Sequence, residues 1–217
     1  MADDDRFADL ARTCESSGSD AMLDALAASL AVRRRWHALF DARIIQARVA
    51  IGLSPVGTPG DIPPHLRDAF DVRSLAACRE AGWPLLEEGQ IAAGGMYLRA
   101  AAEPADVAAR LAILARPRLA TAHTNEEADR VLQETLGVVL WDAADPALGI
   151  EIMLATQGTC NAITTYEQAV SRLPAARQQP AAAVLVAHLH NDVVMNLLRD
   201  LEARGVAAPR PTTIPSL

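Results

Sequence analysis

The run GTCNAITTYE, residues 158–167, puts a cysteine, an asparagine and several hydroxyl side chains beside a glycine, and AHLHND follows some 20 residues later. Residues of these types can do acyl-transfer or thiol chemistry. Cys160 would be a catalytic thiol, with His188 and Glu167 around the same pocket, provided that a helix N-terminus or a histidine lowers the thiol pKa. A second reading needs no chemistry. Glycine ends one helix, Thr159 and Asn161 cap the next with side-chain oxygens, and Cys160 is a small buried filler at its start. No recognised nucleophile signature surrounds Cys160, so the residues favour a helix corner.

Metal chemistry fares no better. His188 and His190 are two apart, which on a helix points them roughly 200° from one another. His188 and Asp192 share a face, but two ligands do not make a structural site. Cys14, Cys78 and Cys160 are odd in number and far apart, with no CxxC, so neither a zinc site nor a disulfide frame is indicated. The sequence points to no metal and no cofactor. One of the two histidines is expected in an interhelical hydrogen bond, the other at the surface.

The elements that would position these residues are helical. The 217 residues are 51% apolar with only 4% aromatic, and they are rich in alanine, leucine, arginine and glutamate. These types lose little rotamer freedom in a helix. Period-two runs of β-branched and aromatic residues are missing, so an all-α chain is expected. The net charge is −7, and no lysine occurs. An acidic chain disfavours broad phosphate-backbone binding. The run Arg33-Arg34-Arg35 before Trp36 and His37 is a solvated helix face rather than a nucleic-acid patch. The acidic start MADDDRFADL is no signal peptide, no apolar run reaches about 18 residues, and the expected address is the cytoplasm.

A helical pattern runs from near Asp20 to about Leu53, with apolar residues every three or four positions and a break expected near the arginine run. SPVGTPGDIPP is a loop, because proline removes donors and glycine permits turns. Beyond it, helices are expected through HLRDAFDVRSLAACREAG and LLEEG with Gly89 as C-cap, then IAAGGMYLRAAA to Glu103-Pro104. ADVAARLAILA should stop at Arg116-Pro117. NEEADRVLQETLGVVLW is capped by Thr124 or Asn125, and Asp145-Pro146 opens PALGIEIMLAT. ITTYEQAVSRL reaches Pro174, and a long last helix starts at Pro180. The organisation expected is an N-terminal helical segment over 1–55, a loop over 56–64, a helical domain over 65–205 and a disordered tail over 206–217.

Three windows repeat at 34 residues. Ala162, Tyr166, Ala169 and Pro174 carry a small-large-small pattern that recurs at Ala128, Leu132 and Thr135, and again at Gly94, Leu98 and Ala101. Gly82, Leu85, Gly89 and Ile91 complete the first window upstream. A small residue lets two helix backbones approach, and a large one fills the groove between pairs. Residues 75–174 thus resemble three divergent tetratricopeptide repeats, with Pro84 and Pro117 falling inside first helices, where they should kink or end them. The runs CREAGWPLLEEGQIAAGGMYLRA, ALGIEIMLATQGTCNAITTYEQ and LVAHLHNDVVMNLLRDLEAR are similar to an uncharacterised bacterial family of tetratricopeptide-like proteins whose members tend to continue past the end of this chain.

That resemblance implies antiparallel helix pairs stacked as a short right-handed solenoid, preceded by a long N-terminal helix or helical hairpin. It implies no activity. In such arrays the first helices line a concave groove for a partner peptide, which here would present Arg79, Trp83, Glu87, Arg110, Thr121 and Glu151. The expectation is a non-enzymatic scaffold for protein or peptide binding or self-association. The alternative is a helical enzyme or small-ligand domain built on Cys160, Glu167 and His188.

Overall fold

In the computed structural model, which describes residues 2–206, the described residues are all-helical, with no strand among them. The tail expected to be disordered lies, beyond Val206, outside the described residues. The chain divides into two units, Met1–Ala102 and Glu103–Leu217. The proline- and glycine-rich loop therefore lies inside the first unit.

The first unit holds helices α1 (Ala2–Val32), α2 (Trp36–Ala50), α3 (Arg67–Glu87) and α4 (Ile91–Leu98), each packed on the next. α1 begins well before Asp20. It changes direction at Gly18, where φ 89° and ψ 173° are open to glycine alone. The expected break at the arginine run is present: α1 stops at Val32, Arg34 takes φ 56°, and α2 starts at Trp36. Leu23, Ala27, Leu39, Ala77, Leu85, Leu86 and Leu98 form the buried layer.

α3 closes as its sequence foretold. Gly89 has φ 78°, its N–H reaches the Leu86 carbonyl, and Gln90 N–H reaches Leu85, which is a Schellman cap. α3 and α4 then cross on bare backbone. A Cβ on Gly94 would lie 2.8 Å from the Leu86 nitrogen and 2.9 Å from the Gly82 carbonyl oxygen.

The loop after α2 is fastened rather than free. Arg48 is buried, and its guanidinium donates to the carbonyls of Ser54 at 2.8 Å and Thr58 at 3.3 Å. Gly57 lies against that guanidinium, where a Cβ would stand 2.7 Å from Cζ. Downstream, Thr58 and Asp61 close a capping box, and the hydrogen bond from the Thr58 backbone holds the Asp61 carboxyl below its ordinary range.

The second unit holds α5 (Pro104–Leu119), α6 (Glu126–Leu136), α7 (Pro146–Thr165) and α8 (Ala175–Ala203). α5 packs on α6, both pack on α7, and α7 packs on α8. A single turn of π-helix follows α6 at Gly137–Trp141, and another follows α7 at Tyr166–Val170. Both expected N-caps form. Asn125 accepts from Glu127 and Ala128 N–H groups, and Asp145 accepts from Leu148 N–H ahead of Pro146 at the first helical position. Leu111, Leu132, Val139, Leu148, Ile150 and Ile152 are fully buried.

Three proline expectations are corrected. α3 runs through Pro84 and ends at Glu87, and α5 runs through Pro117 and ends at Leu119, so each helix continues past its proline for no more than one turn. α8 starts at Ala175 rather than Pro180. The Gln178 amide holds that extra turn by donating to the carbonyls of Ser171 and Leu173 at 2.9 and 2.6 Å.

Candidate functional site

The GTCNAITTYE segment forms the expected corner at Gly158, where φ is 80° and ψ 175° and two helical stretches of α7 meet across a kink, but the expected side-chain caps do not form. Thr159 and Asn161 are not N-caps. The Thr159 hydroxyl meets His188 Nε2 at 3.0 Å across to α8, and the Asn161 amide donates back to the Gln157 carbonyl.

His188 therefore makes the interhelical bond expected of one histidine, and His190 is exposed. His188 Nε2 also meets Asp192 Oδ2 at 3.2 Å, as residues four apart on a helix can. Cys160 is exposed, not a buried filler, and its thiol has no hydrogen-bond partner among the described residues. Glu167 is exposed on the π-turn. The structure thus places His188 with Thr159 and Asp192, and it does not join it to Cys160 or Glu167. Cys78, by contrast, is partly buried, and burial pushes its thiol up. Among the described residues no three His, Cys, Asp or Glu side chains converge as a metal site requires.

The six groove residues fall in both units. Arg79, Trp83 and Glu87, four apart along α3, share one face of that helix in the first unit. Arg79 is tied to the Ala101 carbonyl at 2.8 Å, Trp83 is half-buried and Glu87 is exposed. In the second unit Arg110 is exposed on α5, and Thr121 lies in the turn after it, donating to the Arg118 carbonyl. Glu151 is half-buried on α7 and faces Arg116 at 3.4 Å.

Sequence reading missed three polar arrangements, each of which joins residues of different elements. Arg43 of α2 forks onto Glu80 of α3 at 2.7 and 2.8 Å and also donates to Gln46, whose amide reaches Asp24 of α1. The fork to Glu80 outweighs desolvation and raises the Arg43 pKa. This network edges a groove of about 410 Å³ between the three helices, and its charges largely satisfy one another.

At the start of α2, Glu88 accepts from Trp36 Nε1 at 2.6 Å and from Arg34 Nε at 2.7 Å. Desolvation alone would raise the Glu88 carboxyl, but these two donors prevail and hold it below its ordinary value. Finally, a cavity of about 210 Å³ between α7 and α8 is bordered by Glu151, His188 and Asn191.

α8 carries an exposed apolar face. Only Ala181 and Leu185 of its 29 residues are buried. Val186, Leu189, Val193 and Leu197 are 61, 38, 57 and 58% exposed, and they follow one another at three or four residues along one face. The same helix is long and apolar enough to cross a membrane by length and composition, with a mean hydropathy of 1.3 over 18 residues. His188, His190, Asn191 and Asp192 interrupt that stretch.

Comparison with family models, curated proteins and solved structures finds no match for this chain.

Proposed function

We propose that the protein is a non-enzymatic helical scaffold that binds a protein or peptide, or a second copy of itself, through the outer face of α8. The observation that carries this reading is the exposed stripe Val186, Leu189, Val193, Leu197. Soluble chains rarely leave a contiguous apolar stripe on water, and intervals of three and four residues suit a helix laid alongside another helix. A membrane is the less apt cover. Placing Asp192 and two histidines near the middle of a span would cost several kcal/mol.

The finer architecture proposed is a short right-handed tetratricopeptide-like solenoid. Burial of the repeated positions supports it. Gly94, Leu98 and Ala101 are buried, as are Ala128, Leu132 and Thr135, and so is Ala162. The close crossing at Gly82 and Gly94 is the small-residue contact such a hairpin needs. The π-turns after α6 and α7 and the break at Gly158 are departures from a regular repeat.

The test is affinity capture from a lysate of the source organism, together with light scattering of the purified chain. Wild type is compared with Val186→Ser, Val193→Ser. A defined partner, or a dimer, that is present with wild type and lost with the variant supports the scaffold reading. Partners retained equally by both place binding elsewhere, and a wild-type monomer that captures nothing overturns the reading.

A further inference from the structure

The cavity between α7 and α8 has an apolar wall, chiefly Leu154, Val184 and Ala187, and three polar residues on its border. All three offer acceptors. Glu151 is a carboxylate, with a side chain 22% exposed against 56% for Arg116. Arg116 therefore holds it from the solvent side at 3.4 Å and leaves other carboxylate lone pairs open.

His188 spends Nε2 on Thr159 and Asp192. In the tautomer that lets Nε2 donate to Asp192, the proton sits on Nε2 and Nδ1 carries a lone pair. Asn191 Oδ1 is buried and has no hydrogen-bond partner. A buried amide oxygen left unmatched is costly, and such groups in native proteins call for an explanation.

We propose that this cavity binds a short-chain aliphatic primary amine in its ammonium form. An ammonium brings three N–H donors and no acceptor, which suits Glu151, Asn191 Oδ1 and His188 Nδ1 together. A carboxylate or phosphate would meet the like charge of Glu151 here. At about 30 Å³ for each water-sized group, the cavity has room for roughly seven non-hydrogen atoms, so the aliphatic body is short and rests on Leu154, Val184 and Ala187. Val184 and Ala187 lie on the side of α8 roughly opposite the exposed stripe, given about 3.6 residues per turn. The site therefore stands or falls independently of the scaffold proposal.

The test is an NMR titration of the full chain with 3-methylbutylammonium, 3-methylbutanol and 3-methylbutanoate, which share one carbon skeleton. Saturable shifts are expected at the amides of residues 151–154 and 183–192 with the ammonium. Binding should be at least about tenfold weaker with the alcohol and absent with the carboxylate. Glu151→Gln, which keeps shape and loses charge, should weaken ammonium binding about tenfold or more while the circular dichroism stays unchanged. Ala187→Leu should fill the cavity and abolish binding. Absence of saturable shifts up to the solubility of the amine, equal binding of the carboxylate, or unchanged affinity in Glu151→Gln would each overturn the proposal.

Discussion

Gly82 and Gly94 face each other across the α3–α4 crossing so closely that a methyl group on Gly94 would stand 2.9 Å from the Gly82 carbonyl oxygen. The obstacle is backbone, which cannot step aside as a side-chain end can. Gly94→Ala should therefore destabilise the first unit by about 1–3 kcal/mol, although alanine is the better helix former. Gly137 is the control. It is helical with nothing within 4 Å of its would-be Cβ, so Gly137→Ala should be neutral or stabilising by up to about 1 kcal/mol. Urea midpoints of the two variants should move in opposite directions, and a Gly94→Ala protein as stable as wild type would refute the close crossing.

The Trp36–Glu88 pair predicts a pH dependence with a definite sign. Glu88 is held below its ordinary value of 4.5, since the indole and Arg34 donors outweigh the cost of desolvation. A carboxyl whose pKa is lower folded than unfolded contributes stability that is fully present above the unfolded value and lost as pH falls through the folded one. In a Trp83→Phe, Trp141→Phe background, the Trp36 indole N–H resonance should therefore titrate with a midpoint below 4.5. Glu88→Gln should abolish that titration. A midpoint at or above 4.5 would mean that burial, not hydrogen bonding, governs this carboxyl.

Gly158 takes a conformation that a side chain enters only with strain, and nothing packs where its Cβ would be. Gly158→Ala should cost roughly 1–3 kcal/mol through the backbone alone. If α7 instead straightens into a regular helix, Thr159 swings away from His188. The chemical shift of His188 Nε2 reads that separation directly. An unchanged stability together with an unchanged histidine signal would show that the break is not needed.

What could be read from the sequence was what depends on neighbours in the chain. Asn125, Asp145 before Pro146, and Gly89 act within four residues of themselves, and each cap is where its signal lies. The break at Arg33–Arg35 is local in the same way. What escaped depends on distance along the chain. Thr159 has the side chain of a cap, and only the approach of α8 turns it toward His188, 29 residues on. The helical stretch ahead of the break at Gly18 has too little apolar periodicity to announce it. Asn191 gives no sign in the sequence that its oxygen is buried. That emerges only where α7 and α8 meet around a cavity.

The loop after α2 has the composition of a place where a chain can be reopened. Arg48, 5% exposed, makes it the opposite. New termini near Val56 would detach the carbonyls of Ser54 and Thr58 from each other and strand a buried guanidinium without its acceptors. A cut between Ala102 and Glu103 leaves the Arg79–Ala101 bond whole on one side and the Pro104 start of α5 whole on the other. A chain break should thus leave both units folded at an alanine-rich turn that composition passes over, and unfold the first unit at the glycine- and proline-rich segment that composition would choose.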